Sequence, residues 1–155
     1  MKIIKTFESF NSTENKKVWI YLDDLRTPKD PTWVVVRNFQ EFKDEVEKHN
    51  LDDIERISFD HDLADFYYDE DGEKLENTGK TAIDWFINKH IDDMKSEKIT
   101  GKNFPIITVH SDNPRGVQNI IGLVNPYLDF LGGETGQDYI MAKAEKPAFD
   151  FPEEF

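Results

Sequence analysis

Acidic and imidazole side chains follow three short strand-like runs of this chain, at 18–22, 57–59 and 106–109. The residues at those positions are Asp23-Asp24, Asp60-His61-Asp62 and His110-Ser111-Asp112. In open α/β sheets, ligands bind outside the carboxyl ends of the strands, where the strand order reverses. Because the pattern occurs three times in one small chain, it predicts an active site at one edge of a sheet.

Three of these carboxylates, Asp23, Asp24 and Asp60, would share a small volume if their strands are neighbours. Like charges that close are costly unless a cation lies among them or one of them is protonated. Carboxylate oxygens completed by water suit Mg²⁺ or Mn²⁺. We therefore predict that these three residues bind a divalent cation. The alternative is that Asp23 and Asp24 cap a loop and pair with Arg26.

Two histidines, His61 and His110, could supply acid–base chemistry at the same edge. Imidazole is the side chain that titrates near neutral pH without help, which suits a general acid or base. We predict that both are catalytic, one activating water and the other protonating a leaving oxygen. In the alternative, His61 is a neutral ring bonded to a loop carboxylate and His110 packs at a strand end.

The segment from His110 to Pro114 leads into a helix, whose first amides carry positive potential and attract phosphate. We predict that phosphate is bound by Ser111 and Asn113, with the guanidinium groups of Arg26 and Arg115 as a clamp. The alternative is that Asn113 only caps the helix and Arg115 is solvated.

The elements that position these residues alternate between strands and helices. Strands are predicted at about 17–22, 33–36, 55–59, 106–109 and 139–142. Helices are predicted from Asn38, from Thr78-Gly79 to about Lys95, and from Asn113, the last kinked or divided at Asn125-Pro126 and ended by Gly132-Gly133. The segment 62–77 is predicted to form a hairpin-like flap with an Asp-Gly turn.

This alternation predicts an α/β fold with a mostly parallel, five-stranded, three-layer sheet. Right-handed crossovers favour the flavodoxin-like order 2-1-3-4-5, which places strands one, three and four side by side. Only a short loop with Pro28 and Pro31 joins the first two strands. We therefore expect the helix between them to be reduced or absent.

Length and composition limit the domain organisation and the cellular location of the protein. At 155 residues the chain is long enough for a single core, and we expect one domain over 16–146, between an N-terminal tail at 1–15 and an acidic tail at 147–155. No apolar run reaches the roughly 20 residues that span a bilayer, and the first residues lack the apolar stretch of a signal peptide. Cysteine is absent, which fits a reducing compartment. We expect a cytoplasmic protein with no membrane partner.

The formal net charge of −13 limits the partners. Such a surface offers no basic patch for counterion release, which argues against binding of duplex nucleic acid. It leaves room for a small phosphorylated ligand or an RNA end that is held by a metal and one or two arginines. The oligomeric state is left open.

Four segments of the chain resemble the cyclic-phosphate-processing receiver-like family, a divergent branch of the response-regulator receiver fold. The resemblance runs in order over roughly 17–125 and rests on Leu22–Pro28, Ser58–Leu63, Thr78–Phe86 and His110–Asn119. It implies a receiver-like fold and an activity on cyclic phosphates in RNA repair or nucleotide signalling. It also implies an acidic pocket formed by the three aspartates named above and joined by Arg26, His61 and His110.

Together these observations predict a metal-assisted phosphoesterase, a phosphoric diester hydrolase that acts on a cyclic nucleotide or on a 2′,3′-cyclic phosphate at an RNA end. One alternative is a protein that sequesters a cyclic nucleotide without turnover. Another is a phospho-accepting receiver with Asp60 as acceptor, although no lysine follows the last strand in clear register. A nucleic-acid-cleaving site at Asp60 and Asp62 is disfavoured by the net charge.

Overall fold

A five-stranded parallel sheet forms the centre of the protein, whose computed structural model describes residues 17–148. In chain order the strands are β1 (Val18–Leu22), β2 (Trp33–Val36), β3 (Ile54–Phe59), β4 (Asp65–Tyr68), β5 (Lys74–Asn77), β6 (Ile106–Val109) and β7 (Lys143–Ala144). β4 and β5 form a separate antiparallel hairpin, and the sheet has the order β2-β1-β3-β6-β7. The predicted order of the five sheet strands is therefore confirmed.

The helices begin at the cap residues that the sequence predicted. They are α1 (Phe39–Glu47), α2 (Gly79–Lys95) and α3 (Pro114–Thr135). The side chains of Asn38 and Asn113 each accept a hydrogen bond from an amide of the first turn, at 2.8 and 3.1 Å. Thr78 forms a capping box with Thr81. These side chains satisfy amides that the helices leave without partners, which fixes where each helix starts.

The two faces of the sheet differ in character. One face is apolar and packs against the buried side chains of all three helices; its strand residues are Ile20, Leu22, Val36, Ile57, Phe59, Ile107 and Val109. The connections from β2 to β3, from β3 to β6 and from β6 to β7 all cross the sheet in one direction. Right-handed crossovers therefore put their helices on one side. Within residues 17–148 these helices supply one of the two helical layers of a three-layer fold.

The other helical layer would begin with a helix between β1 and β2, and the described chain has none there. Residues 23–32 form a loop instead, as the two prolines of that segment predicted. The opposite face of the sheet consequently carries polar and aromatic side chains, including Tyr21 and Ser58, which are both fully buried. This is the face on which the site described below lies.

Two predictions about the C-terminal half were wrong. α3 is not ended by Gly132-Gly133 but runs through Pro126 to Thr135 and stops at Gly136, which has a φ of 75°. Burial of Tyr127, Leu128 and Leu131 beyond the proline holds the helix together.

The last strand lies at Lys143–Ala144 rather than at 139–142. Tyr139 is instead anchored outside the sheet, where its hydroxyl donates to the Gly101 carbonyl at 2.6 Å. The Ala142 amide donates to the side chain of Asn125 on α3 at 2.8 Å. This hydrogen bond ties the chain to α3 at the residue before β7 begins.

The predicted hairpin over 62–77 is confirmed, with Gly72 in its turn at a φ of 81°. The two predicted tails, 1–15 and 147–155, lie outside the described residues apart from 147 and 148. Among residues 17–148, none of the helices combines the length and the apolar character that crossing a bilayer requires.

Candidate active site

The backbone ladder of the sheet continues one residue beyond the central strands. The Asp60 amide donates to the Leu22 carbonyl at 2.9 Å, and the His110 amide donates to the Phe59 carbonyl at 2.9 Å. Leu22 and Phe59 point to the apolar face, so the residues that follow them turn to the opposite one. Asp23, Asp60 and His110 therefore lie side by side at the carboxyl edge.

These three residues form a compact, buried cluster. Each offers one ligand atom, and the three atoms all lie within 4.8 Å of one another. Asp23 and His110 have no exposed surface, and Asp60 is 6% exposed. The cluster holds two carboxylates and one imidazole in a place where charge is poorly solvated.

Asp23 is stabilised as a carboxylate by four donors. Its Oδ1 accepts from the amides of Leu25 and Arg26, both at 2.8 Å, and its Oδ2 accepts from the Arg26 Nε–H at 3.1 Å and from His110 Nε2 at 3.0 Å. Burial raises the pKa of Asp23, but the hydrogen bonds from His110 and from the two amides outweigh it and hold that pKa below its usual value. Asp23 is therefore an anion.

Asp60 is the carboxylate of the cluster whose charged form is less well stabilised. Burial, followed by the charge of Asp23, raises the pKa of Asp60 above its usual value. The charge of Asp60 has fewer stabilising contacts than that of Asp23, since its Oδ1 accepts from the His61 amide at 2.8 Å and its Oδ2 lies 3.7 Å from a nitrogen of Arg26. The structure therefore holds Asp23 and Asp60 close together despite the repulsion between their carboxylates that the sequence predicted.

His110 is held from three sides. Since an ionised carboxylate only accepts, Nε2 carries the proton that binds Asp23, and Nδ1 lies 2.7 Å from the hydroxyl of Ser58. The ring of Tyr21 stacks on the imidazole with centroids 4.2 Å apart and an interplanar angle of 6°. The imidazole is therefore placed behind Asp23, away from solvent.

Tyr21 and Ser58 were missed by the sequence reasoning, although a pattern pointed to them. Alternate side chains of a strand share a face, so Tyr21 lies on the face of Asp23, and Ser58 on the face of Asp60. Burial and the two aspartates raise the pKa of the Tyr21 phenol, so it stays protonated beside the carboxylates.

Arg26 links the cluster to the rim of the site. Its guanidinium contacts Asp23 and Asp60, and a third nitrogen lies 3.4 Å from Asp112 Oδ2. Arg37, another residue that sequence reasoning missed, donates to the Arg26 carbonyl at 2.8 Å and to the Asp23 carbonyl at 3.2 Å. The loop after β1 is thereby fixed with Arg26 over the acidic pair.

His61 lies at the mouth of the site, with 14% of its side chain exposed. Its Nδ1 contacts Asp62 Oδ1 at 2.9 Å. The ring packs against the first turn of α3, where a Cβ built on Gly116 would lie 2.4 Å from the His61 Cγ. The Gly79 amide donates to the His61 carbonyl at 2.8 Å, and a Cβ on Gly79 would lie 2.1 Å from the Asp60 carbonyl oxygen. Two glycines thus let both helices approach the Asp60-His61 turn.

The other predicted site residues lie around this cluster rather than in it. Asp24 is exposed, and partial burial and the charge of Asp23 raise its pKa. Ser111 and Asn113 use their side-chain oxygens on the amides of Asn113 and Gly116, at 3.1 Å each. Arg115 is exposed and makes no side-chain hydrogen bond or ion pair within residues 17–148.

Lys146 reaches the rim from the segment after β7. Its ammonium bonds the carboxylate of Asp112, which also contacts Arg26, and this bond lowers the pKa of Asp112. Lys143, a second lysine of the same C-terminal segment, pairs with Glu145 at 3.4 Å. Of the two lysines, Lys146 is the one next to the site.

A family model described as the cyclic-phosphate processing receiver domain matches residues 18–126. The match contains the whole cluster, both glycines and the first half of α3, and it ends before Lys146. It confirms the family that the four sequence segments resembled. No curated protein matches the chain significantly, and no solved structure does.

Proposed function

Since the chain belongs to the cyclic-phosphate-processing receiver family, we propose that it is a metal-assisted phosphoesterase that opens the cyclic phosphate of a nucleotide or of an RNA end. The observation that carries the proposal is the buried cluster of Asp23, Asp60 and His110, with ligand atoms within 4.8 Å of one another. Two carboxylates held so close away from water are costly unless a cation lies between them or one is protonated, and Arg26, at 3.7 Å from Asp60, offsets that cost only in part. Family membership supports the cyclic phosphate, and the cluster supports the cation.

The donor set fits a hard divalent cation. Asp23 and Asp60 offer carboxylate oxygens, the ligands that Mg²⁺ and Mn²⁺ prefer, and His110 orients Asp23 from behind as carboxylate ligands usually require. Asp24, the third predicted ligand, is exposed beside them. When bound, such a cation would neutralise phosphate charge and polarise a P–O bond.

The chain's own residues supply phosphate binding and proton transfer. Arg26, already next to both carboxylates, would orient the phosphate with its guanidinium. Water attacks phosphorus while the ester P–O bond breaks, so one proton leaves the water and one must reach the leaving oxygen. His61 is the imidazole at the mouth of the pocket and would transfer one of them.

His110 has a different place in this scheme. Because it is fully buried and bonded to Asp23, it would act on the substrate through that carboxylate, as a positioning residue. Its predicted direct role as the second acid or base stays a prediction, as do the phosphate-binding roles of Ser111, Asn113 and Arg115.

A second candidate function, the phospho-accepting receiver, gains support from one observation. Lys146 bonds Asp112, which contacts Arg26, so a lysine does stand near Asp60 through two intervening groups. Acetyl phosphate followed by intact-mass analysis separates the two functions. A labile phosphoryl adduct that is lost in Asp60→Asn would favour the receiver.

The test of the phosphoesterase follows 2′,3′- and 3′,5′-cyclic nucleotides by phosphorus NMR with Mg²⁺ or Mn²⁺. Wild type is expected to convert one class to the monoester. Asp60→Asn should lose this turnover, while Asp92→Asn, an exposed aspartate on α2, should keep it. Tight binding of unchanged ligand by wild type would favour the sequestering protein. No turnover of any cyclic phosphate would contradict the proposal.

A further inference from the structure

A groove of about 540 Å³ lies outside the acidic cluster, between the β4–β5 hairpin, the start of α1 and the first turn of α2. This volume is within the range of roughly 300–1,000 Å³ that small-molecule sites occupy. Its lining includes Asn38, Phe39, Asp65, Tyr67, Asn77 and Thr81. None of the residues that form the cluster lines it, so it is a separate feature.

The hairpin register explains which side chains face the groove. Asp65 pairs with Asn77 and Tyr67 pairs with Leu75, so these four share one face of the hairpin. Phe66 and Tyr68 belong to the opposite face. Tyr67 is 45% exposed in the groove wall, which leaves a large aromatic surface without a protein cover.

The groove is poorly suited to a phosphate. The first amides of α1 are already used, since Phe39 N–H donates to Asp65 Oδ2 at 2.9 Å and Glu41 N–H donates to the Asn38 side chain at 2.8 Å. The Lys43 ammonium lies over the Phe39 ring, 4.4 Å from its centroid. The Asp65 carboxylate in the wall would repel an anion.

The lining suits instead a neutral, planar ring with hydrogen-bonding edges. The exposed ring of Tyr67 offers a stacking surface, the Asn77 carboxamide offers a donor and an acceptor, and the Asn38 carboxamide offers its NH₂ as a further donor. Asn77 makes no side-chain hydrogen bond within residues 17–148. Nucleobases are recognised by this combination of stacking and edge contacts.

The groove is also next to the proposed reaction centre. Asn77 precedes Gly79 by two residues, which places their Cα atoms within about 8 Å of each other. The Gly79 amide donates to the His61 carbonyl, and Gly79 touches the Asp60 carbonyl. Asn77, in the lining of the groove, therefore lies two residues from the glycine that contacts the Asp60-His61 turn.

We propose that this groove binds the nucleobase of a nucleotide whose phosphate lies at the acidic cluster. The inference rests on the proposed function for the phosphate, and it makes the substrate a nucleotide rather than any cyclic phosphate. The net charge of −13 favours a single nucleotide over a long RNA, because each further phosphate would be repelled.

The test compares Tyr67→Ala with Tyr68→Ala, a matched loss of one exposed tyrosine from the other face of the same hairpin. The probes are the four 2′,3′-cyclic nucleoside monophosphates and a base-free ribose cyclic phosphate. Tyr67→Ala should raise KM for the nucleotides by roughly 5-fold or more, with little change in kcat, because a base loses its stacking partner. Tyr68→Ala should match wild type, and Tyr67→Phe, which keeps the ring, should stay near it.

A titration with the four nucleosides, followed by NMR, separates this inference from the proposed function because it needs neither phosphate nor metal. Nucleoside binding that is lost in Tyr67→Ala and kept in Tyr68→Ala supports the groove even if no cyclic phosphate is hydrolysed. Turnover with equal KM for base-free and base-containing substrates would overturn the groove and leave the phosphoesterase intact. Equal loss of binding in both tyrosine variants would overturn it as well.

Discussion

His90 and His110 are both fully buried, both use their two ring nitrogens, and both contact a tyrosine. They differ in what else surrounds them. His110 bonds a carboxylate in a cluster that also holds a second carboxylate and an arginine. His90 belongs to α2, faces α3, and bonds a hydroxyl and a carbonyl. Equal burial of the same residue type therefore does not mean an equal role.

The surroundings of His90 favour its neutral form. Its Nε2 lies 3.2 Å from the Asn103 carbonyl and its Nδ1 lies 2.7 Å from the Tyr127 hydroxyl, and Phe104 packs edge-on at 4.9 Å between centroids. A carbonyl only accepts, so Nε2 is the donor and Nδ1 accepts from the tyrosine. Burial lowers the pKa of His90. This histidine ties two helices together.

The surroundings of His110 are charged and favour a role in positioning a carboxylate. Its proton bonds Asp23, and Asp23 shares the edge with Asp60 and Arg26. Such a ring fixes the direction of a buried carboxylate of the candidate site and stabilises its charged form. The comparison predicts that changes near His110 affect chemistry, whereas changes at His90 affect stability.

The largest effect is expected at the mouth of the site. His61→Ala should lower kcat for a cyclic nucleotide by roughly 10²–10⁴-fold, because a general acid or base is lost. His49→Ala, at a partly buried histidine just after the C-terminal end of α1, should leave kcat unchanged. Steady-state hydrolysis by phosphorus NMR measures both, with circular dichroism to verify folding. Full activity of His61→Ala would remove this residue from the mechanism.

A smaller effect is expected behind the carboxylates. His110→Ala should weaken Mn²⁺ binding by roughly 10–100-fold, because Asp23 loses the group that orients it. His110→Gln can still donate to Asp23 and should recover much of that affinity and of the turnover. Isothermal titration calorimetry measures the affinity.

The glutamine variant also distinguishes the two roles of His110. Metal affinity restored together with turnover supports the positioning role. Metal affinity restored without turnover would instead support the direct acid–base role that the sequence predicted, since glutamine cannot transfer a proton.

The smallest effect is a change in stability with pH at His90. Its pKa in the folded protein lies below the ordinary value of 6.5, so the unfolded chain binds more protons between the two values. The free energy of unfolding should therefore fall as the pH drops below about 6.5, by at most about 1.4 kcal/mol per pH unit for this one group.

His90→Gln has no titrating ring and should show a flatter decline than wild type between pH 7 and 5 in urea unfolding. Tyr127 on α3, Asn103 in the following loop and Asp93 on the same helix as His90 are unchanged in that variant. Identical slopes for the two proteins would contradict a neutral His90.

The sequence predicted that Asp23, Asp60 and His110 lie together because their positions follow from strand order, but it also counted the exposed Asp24 among the cation ligands. Once β1, β3 and β6 are parallel neighbours, Asp23, Asp60 and His110 must meet at one edge. What it could not predict is which groups use up their hydrogen bonds locally. The side-chain oxygens of Ser111 and Asn113 accept hydrogen bonds from the amides of Asn113 and Gly116. The spacing of residues in the sequence does not show that these oxygens are already occupied.

Contacts between distant segments were also beyond the sequence. α3 continues past Pro126 because its later residues are buried, and the choice of Lys146 over Lys143 depends on how the segment after β7 meets Asp112. Both outcomes are set by tertiary packing, whereas helix starts, which depend on local caps, were predicted correctly.

The central claim, a divalent cation between Asp23 and Asp60, is tested most directly by thermal unfolding with and without Mg²⁺ or Mn²⁺. A ligand that binds only the folded state at 100 times its Kd stabilises it by about 2.7 kcal/mol. Wild type and Asp92→Asn should both gain Tm on metal addition, and Asp60→Asn should lose most of that gain while folding at least as stably without metal. An equal gain in wild type and Asp60→Asn would contradict the account.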